Sequence, residues 1–262
     1  MKLNLIKLWT LLSMILVFYF YSACKNTVIK PAAATPETDA IGAAIASNMV
    51  QSLSGMYGGA SIRDGIGKSA FIAAASPQIK LQSILQCGFF IDTSLNVNFN
   101  QGDSIKTHTT GSVNYFFNCD STAEKPTGYN LSDSLTSAGK GHGYDFNFLV
   151  SQHYSVSTSK EGNSGYTLNG ALKSWVDFDY NLKPDKSSAV HNIFHFTNMK
   201  IQVAGNFEIV SGEATFESKG VTAGGAWNFS GYIRFIGNNK AKLTLLNKVY
   251  LINLFTGSLT KV

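Results

Sequence analysis

The sequence predicts a mainly β protein, built as a large antiparallel meander in the form of a twisted sheet, a sandwich or a barrel, with one helix at its N-terminal side. Three observations carry this. From about Leu81 onward apolar and polar residues alternate with period two through segments rich in Phe, Tyr, Val, Ile and Thr, the pattern of strands buried on one face. Gly, Asn and Asp divide these segments, as turns require. No helical pattern intervenes between them, so neighbouring strands are expected to pair directly and antiparallel.

The elements follow in chain order. Thr35-Pro36-Glu37 supplies a capping hydroxyl, a proline suited to the first helical position and an acid for the first turn. Ile41, Ile45, Met49 and Leu53 then recur at steps of four, which places one apolar stripe on a helix over 38–54 that ends near Gly55. Such a stripe is expected to pack on its own domain. Residues 55–69 are glycine-rich and finish in Gly67-Lys68-Ser69, like the end of a phosphate-binding loop. That motif needs a glycine five places before Gly67, where Ile62 stands, so the stretch reads as a plain loop. Ser69 to Ala75 reads as a short second helix that Pro77 terminates. Strands are expected over 85–98, 111–119, 144–157, 166–181, 189–203, 207–218, 226–236, 240–246 and 249–259. Gly237-Asn238-Asn239 and Asn247-Lys248 mark tight hairpin links between the last of them. Residues 38–262 lie within the size of a single β domain.

The start of the chain carries a different signal. Two lysines, Lys2 and Lys7, precede an uncharged run from Leu8 to Tyr21, and Ser22-Ala23 then lead to Cys24. A charged start, an apolar stretch and a small-residue cleavage point make a secretory signal. The run is shorter than the roughly 20 apolar residues of a membrane-spanning helix. With a cysteine directly after the small pair, this segment resembles the type II signal of bacterial lipoproteins. The resemblance implies that residues 1–23 are removed and that Cys24 becomes the acylated N-terminus, carrying palmitate-like chains. The mature protein would then be held on a membrane of the cell envelope, expected to be the outer membrane. Residues 24–37 hold Pro31, Pro36 and Ala32 to Ala34 with little to bury, and read as the lipidated tether.

Charge and cysteine content narrow the partners. The formal charge of +5 falls by two when Lys2 and Lys7 leave, the remaining lysines are scattered, and Arg63 and Arg234 are the only arginines. Nucleic-acid binding needs a basic patch or stripe, so no nucleic acid is expected as a partner. Cys87 and Cys119 remain, and in an oxidising compartment they are expected to form a disulfide worth roughly 3–4 kcal/mol.

Few residues point to chemistry. His191 and His195 are four apart, but on a strand that separation is about 13 Å, too far to share a zinc, so no metal site is expected. Asp177 and Asp179 in WVDFDY share a strand face and could act as paired carboxylates at a glycosidic bond. Their plainer role is a polar outer face opposite Val176, Phe178 and Tyr180. Gly162-Asn163-Ser164-Gly165 is one residue short of a serine nucleophile elbow. No catalytic residue and no cofactor are assigned. Asp103-Ser104-Ile105, Asp120-Ser121-Thr122 and Asp133-Ser134-Leu135 resemble an O-glycosylation signal of exported proteins in some Gram-negative bacteria, which would put Ser104, Ser121 and Ser134 in exposed loops. With 18 Phe and 11 Tyr beside an anchor and a sheet, the chain reads as a non-enzymatic binding module for an apolar ligand, a glycan or a protein partner. An envelope glycan hydrolase and a structural subunit of a surface assembly are the competing functions.

Overall fold

The computed structural model describes residues 37–62, 87–88, 90–101, 105–120, 122, 126–158, 165–202 and 207–262. The signal segment, Cys24, Thr35, Pro36 and the expected helix over 69–75 lie outside them.

Helix α1 is Thr38–Leu53. It begins one residue after Glu37, whose side chain makes no capping hydrogen bond, and Gly55 at φ 76° turns the chain away after it. The strands are β1 Phe90–Gln101, β2 Ile105–Cys119, β3 Pro126–Gly141, β4 Tyr144–Thr158, β5 Gly165–Tyr180, β6 Ser188–Gln202, β7 Glu208–Thr222, β8 Gly225–Gly237, β9 Lys240–Leu245, β10 Lys248–Asn253 and β11 Leu259–Lys261. They form one sheet in sequence order, each antiparallel to its chain neighbours, with β1 and β11 at its two ends. Among the described residues the meander is therefore a single open sheet.

Three details differ from the sequence expectation. β3 was not anticipated: its inward positions Tyr129, Leu131 and Leu135 alternate correctly, but Asp133 and Ser137 interrupt the apolar row and polar residues fill the rest. The expected strand over 249–259 is two strands, β10 and β11, separated by a turn in which Gly257 has φ 71°. The link between β9 and β10 is Leu246-Asn247, one residue earlier than expected, with both residues at positive φ. Asn238-Asn239 joins β8 to β9 with both φ positive, the conformation that suits the twist of a two-residue hairpin.

Alternation sorts the strands into two faces. The inner face is apolar, with Leu168, Leu172, Phe194, Met199, Phe216, Ile233, Leu243 and Ile252 fully or nearly fully buried. Across it lies α1, whose Ile41, Ile45, Met49 and Leu53 are buried, as the four-residue spacing predicts. A helix of 16 residues is about 24 Å long, the width of roughly five strand spacings. It accordingly reaches from β9 and β11 to β5 and β6. Its start is tied to β10 by the Tyr250 hydroxyl, which donates to Asp39 Oδ1 at 2.6 Å, while Lys248 Nζ stands 3.5 Å from the same oxygen. That hydroxyl, then Lys248, hold the Asp39 carboxyl below its usual range. The approach is close at Gly42, where a Cβ would come within 2.9 Å of the Leu259 side chain.

A row of buried polar groups runs beneath the second half of the helix. Ser174, Asn192 and Ser218 are register partners on β5, β6 and β7. Ser52 Oγ lies 2.6 Å from Ser174 Oγ, Asn192 donates to Asn48 Oδ1 at 2.8 Å, and Trp227 Nε1 donates to Ser218 Oγ at 2.9 Å. Ser52 with Ser174 and Asn48 with Asn192 tie the helix to one place along the sheet, although Asn48 Nδ2 and Asn192 Oδ1 stay buried without a hydrogen-bond partner among the described residues.

Cys87 and Cys119 have Cα atoms 5.5 Å apart, the span a disulfide takes, and this pairing secures the approach to β1 against the end of β2.

Candidate functional site

The outer face carries the site. At one end of the sheet, Asn147 on β4, Asp177 on β5, Ala189 on β6 and Val221 on β7 are successive register partners, making one row across four strands. Asp145 and Asp179 pair directly in the next row outward. Together these side chains line an open groove of about 390 Å³, closed at one side by Ser187 and Ser188 after the turn Pro184–Lys186. Ala189 and the exposed Val221 give it an apolar floor, and the carboxylates of Asp145, Asp177 and Asp179 give it an acidic wall.

Each carboxylate is held by a neighbour. Asp179 accepts from Ser187 Oγ at 3.0 Å, and Ser187 Oγ in turn accepts from the Tyr180 backbone N–H at 2.9 Å. Asp145 stands 3.6 Å from Lys140 Nζ. Asp177 Oδ1 lies 2.8 Å from His191 Nε2, with both side chains partly exposed. A carboxylate can accept several hydrogen bonds, so one donor apiece leaves acceptor capacity for a ligand. In the row beside the groove, Trp175 and His191 are register partners whose rings stack at 4.9 Å between centroids, and Lys173 Nζ sits 5.3 Å from the Trp175 ring centre. Trp175 remains 37% exposed.

On the opposite face of the same strand ends, Tyr144, Phe146, Phe148, Phe178 and Tyr180 form a partly buried aromatic cluster that Tyr57 joins through Phe148 at 4.8 Å. These rings stiffen the strand ends from below. Phe146 and Phe178 of this cluster also contribute to the lining of the groove.

The sequence candidates are partly united here. Asp177 and Asp179 line a groove instead of flat solvent, and His191 joins them through Asp177. His195 is exposed farther along β6 and takes no part. Asp145 and Asn147 were missed, because only the register of β4 against β5 brings them alongside; Trp175 was missed although it stands two residues before Asp177 on the same face of β5. The signal of Asp145 and Asn147 was the polar phase of YDFNF, which reads like any outer face. Among the described residues no three His, Cys, Asp or Glu side chains converge as a metal site would require. Ser134 has an exposed side chain within β3, where the glycosylation signal implied a loop, and Ser104 and Ser121 lie outside the described residues.

A second polar site lies on the inner face. Asp133 is 3% exposed and accepts the Gln152 backbone N–H at 2.9 Å, while the Gln152 side chain accepts from Ala60 N at 2.7 Å and donates to Ala60 O at 3.0 Å. This arrangement fastens the loop after α1 to β3 and β4. Burial pushes the Asp133 carboxyl up from 3.8 to about 7, against the opposing pull of the Gln152 and Ala60 backbone. A group with a raised folded-state pKa keeps its proton when the unfolded chain has lost it, so stability is expected to fall as pH rises from about 4 to about 7. Asp133→Asn should flatten that slope, which amounts to on the order of 4 kcal/mol at most. Urea midpoints across this pH range decide it: an Asn variant that keeps the wild-type slope would show that another group is responsible.

No family model, no curated protein and no solved structure matches the chain.

Proposed function

We propose that this chain is a lipid-anchored protein of the bacterial cell envelope that binds a glycan in the groove at the ends of β4 to β7 without turning it over. The observation that carries the reading is the combination in one open groove of three carboxylates, an apolar floor and a neighbouring exposed tryptophan. Sugar hydroxyls donate well to carboxylates, and the C–H faces of the rings settle on apolar and aromatic surface. Anchoring rests on the lysines, apolar run and Ser22-Ala23-Cys24 at the start of the chain.

The test is binding of envelope oligosaccharides to the full chain on a glycan array, followed by titration of whichever binds. Asp179→Asn is expected to weaken that complex roughly tenfold to a hundredfold, the worth of a hydrogen bond to a charged group. Trp175→Ala should weaken it up to about tenfold. Absence of any glycan signal, or one indifferent to both variants, would refute the reading.

The three acids in one groove also favour a second reading, hydrolysis of the bound glycan. Release of reducing ends by the wild type, lost by about 100-fold or more in Asp177→Asn or Asp179→Asn, would establish it in place of simple binding.

A further inference from the structure

From its edge geometry we infer that β1 is an interface at which two copies of this chain join their sheets, antiparallel and across a two-fold axis. The two ends of the sheet are treated very differently. β11 is three residues long and carries Lys261, the kind of short, charged edge that discourages further pairing. β1 is 12 residues long, contains neither lysine nor proline, and has Asp92 as its one charge. Among the described residues nothing pairs with its outer side. Long edges of this kind normally carry charges, bulges or a covering segment, because unpaired N–H and C=O groups in a row will recruit another strand.

Exposed apolar side chains gather at this edge on both faces of the sheet. Phe90 is 68% exposed and lies beside its register partner Phe116, 44% exposed, on one face. On the other face Val97 is 40% exposed and Phe99 60% exposed. A ligand groove would draw such residues to one face; a strand added in the plane of the sheet shelters both.

The occupant follows from the strand's own pattern. When two copies of β1 are laid antiparallel with Leu95 on the two-fold axis, Ile91 faces Phe99 of the copy, Thr93 faces Val97, and Leu95 faces itself. On the opposite face Ser94 meets Asn96, Asp92 meets Asn98 and Phe90 meets Asn100, so no like charges are opposed. An interface across a two-fold axis must be complementary to itself, and this strand is. The pairing Cys87 and Cys119 offer holds the start of β1 to β2, so the edge is presented as a fixed template.

Sedimentation of the detergent-solubilised full chain at micromolar concentration tests this. A species of twice the chain mass is expected, and Phe99→Lys and Val97→Lys should each weaken it roughly tenfold or more, since symmetry places every substitution in the interface twice. Both side chains are exposed in the single chain, so the variants should keep the wild-type circular dichroism. Leu95→Cys should yield a disulfide-linked dimer on mild oxidation, because opposed strand residues lie within about 4.5–5.5 Å. A wild-type monomer throughout overturns the proposal. So does a dimer that both lysine variants leave intact without a Leu95→Cys cross-link, and so does an equimolar complex with a different envelope protein in place of the self-dimer.

Discussion

Cells producing the Cys24→Ala chain are expected to incorporate no labelled palmitate into it, against clear labelling of the wild type. Lipid is first attached at the thiol of a type II signal, and the later steps depend on it, so the loss should be complete. A chain beginning at Lys25 behind a conventional cleavable signal should move from the membrane pellet to the soluble fraction. One acyl chain binds a bilayer only marginally and several bind it firmly, so removing all of them leaves the domain without a comparable hold. Among the described residues no helix is long and apolar enough to cross a membrane. Persistent labelling of Cys24→Ala would defeat the anchor assignment.

The second large effect is on stability, and two adjacent residues of β6 make the comparison. Phe194 is fully buried, lies between register partners Leu172 and Phe216, and has ring neighbours at 6.3 Å in Phe196 and Phe216. Truncation to alanine removes buried ring surface and leaves a cavity that a close-packed sheet cannot collapse, so Phe194→Ala should cost about 3–5 kcal/mol. Against a typical total of about 5–15 kcal/mol, that is a large fraction. His195 follows it in sequence but points outward and is exposed, so His195→Ala should stay within about 0.5 kcal/mol of wild type. Denaturant midpoints of the two variants are the measurement. Equal losses would mean that the two faces of β6 had been assigned wrongly.

Much of the fold was legible because one-sided burial writes itself into alternation. β4, β5, β6 and β8 were each placed within a few residues of their observed bounds, and the buried stripe of α1 was read from four residues. β3 was hidden because its inner face trades apolar residues for Asp133 and Ser137, which are satisfied by groups that arrive from elsewhere: the Gln152 backbone, and Thr109 with its hydroxyl 2.8 Å from that of Ser137. The split of β10 from β11 was masked by apolar residues that continue through the turn, Leu254 and Phe255. The groove shows the same limit. Asp177 and Asp179 could be seen to share a face, but Asp145 is 32 and 34 residues away from them and joins only through the pairing of β4 with β5. The polar row under the helix was also invisible, since Asn48 and Ser52 look like ordinary interruptions of an amphipathic pattern until Asn192 and Ser174 are set opposite them.

The path of the helix across the strands bears on the order in which the molecule assembles. Among the described residues every strand pairs only with its neighbours in the chain, so the sheet can grow hairpin by hairpin with little entropy lost to loop closure at each step. The helix contacts obey a different rule, for Asn48 to Asn192 and Asp39 to Tyr250 link residues 144 and 211 apart. The helix precedes the sheet in the chain but is therefore expected to find its seat last, once β9 and β10 exist to receive it. Contacts formed after the rate-limiting barrier alter the escape rate of the native state and leave the approach to it nearly untouched. Substitutions in the Asn48 and Asn192 pair are accordingly expected on the unfolding limb of a chevron plot, with the folding limb little changed, as for a latch closed on a sheet already zipped.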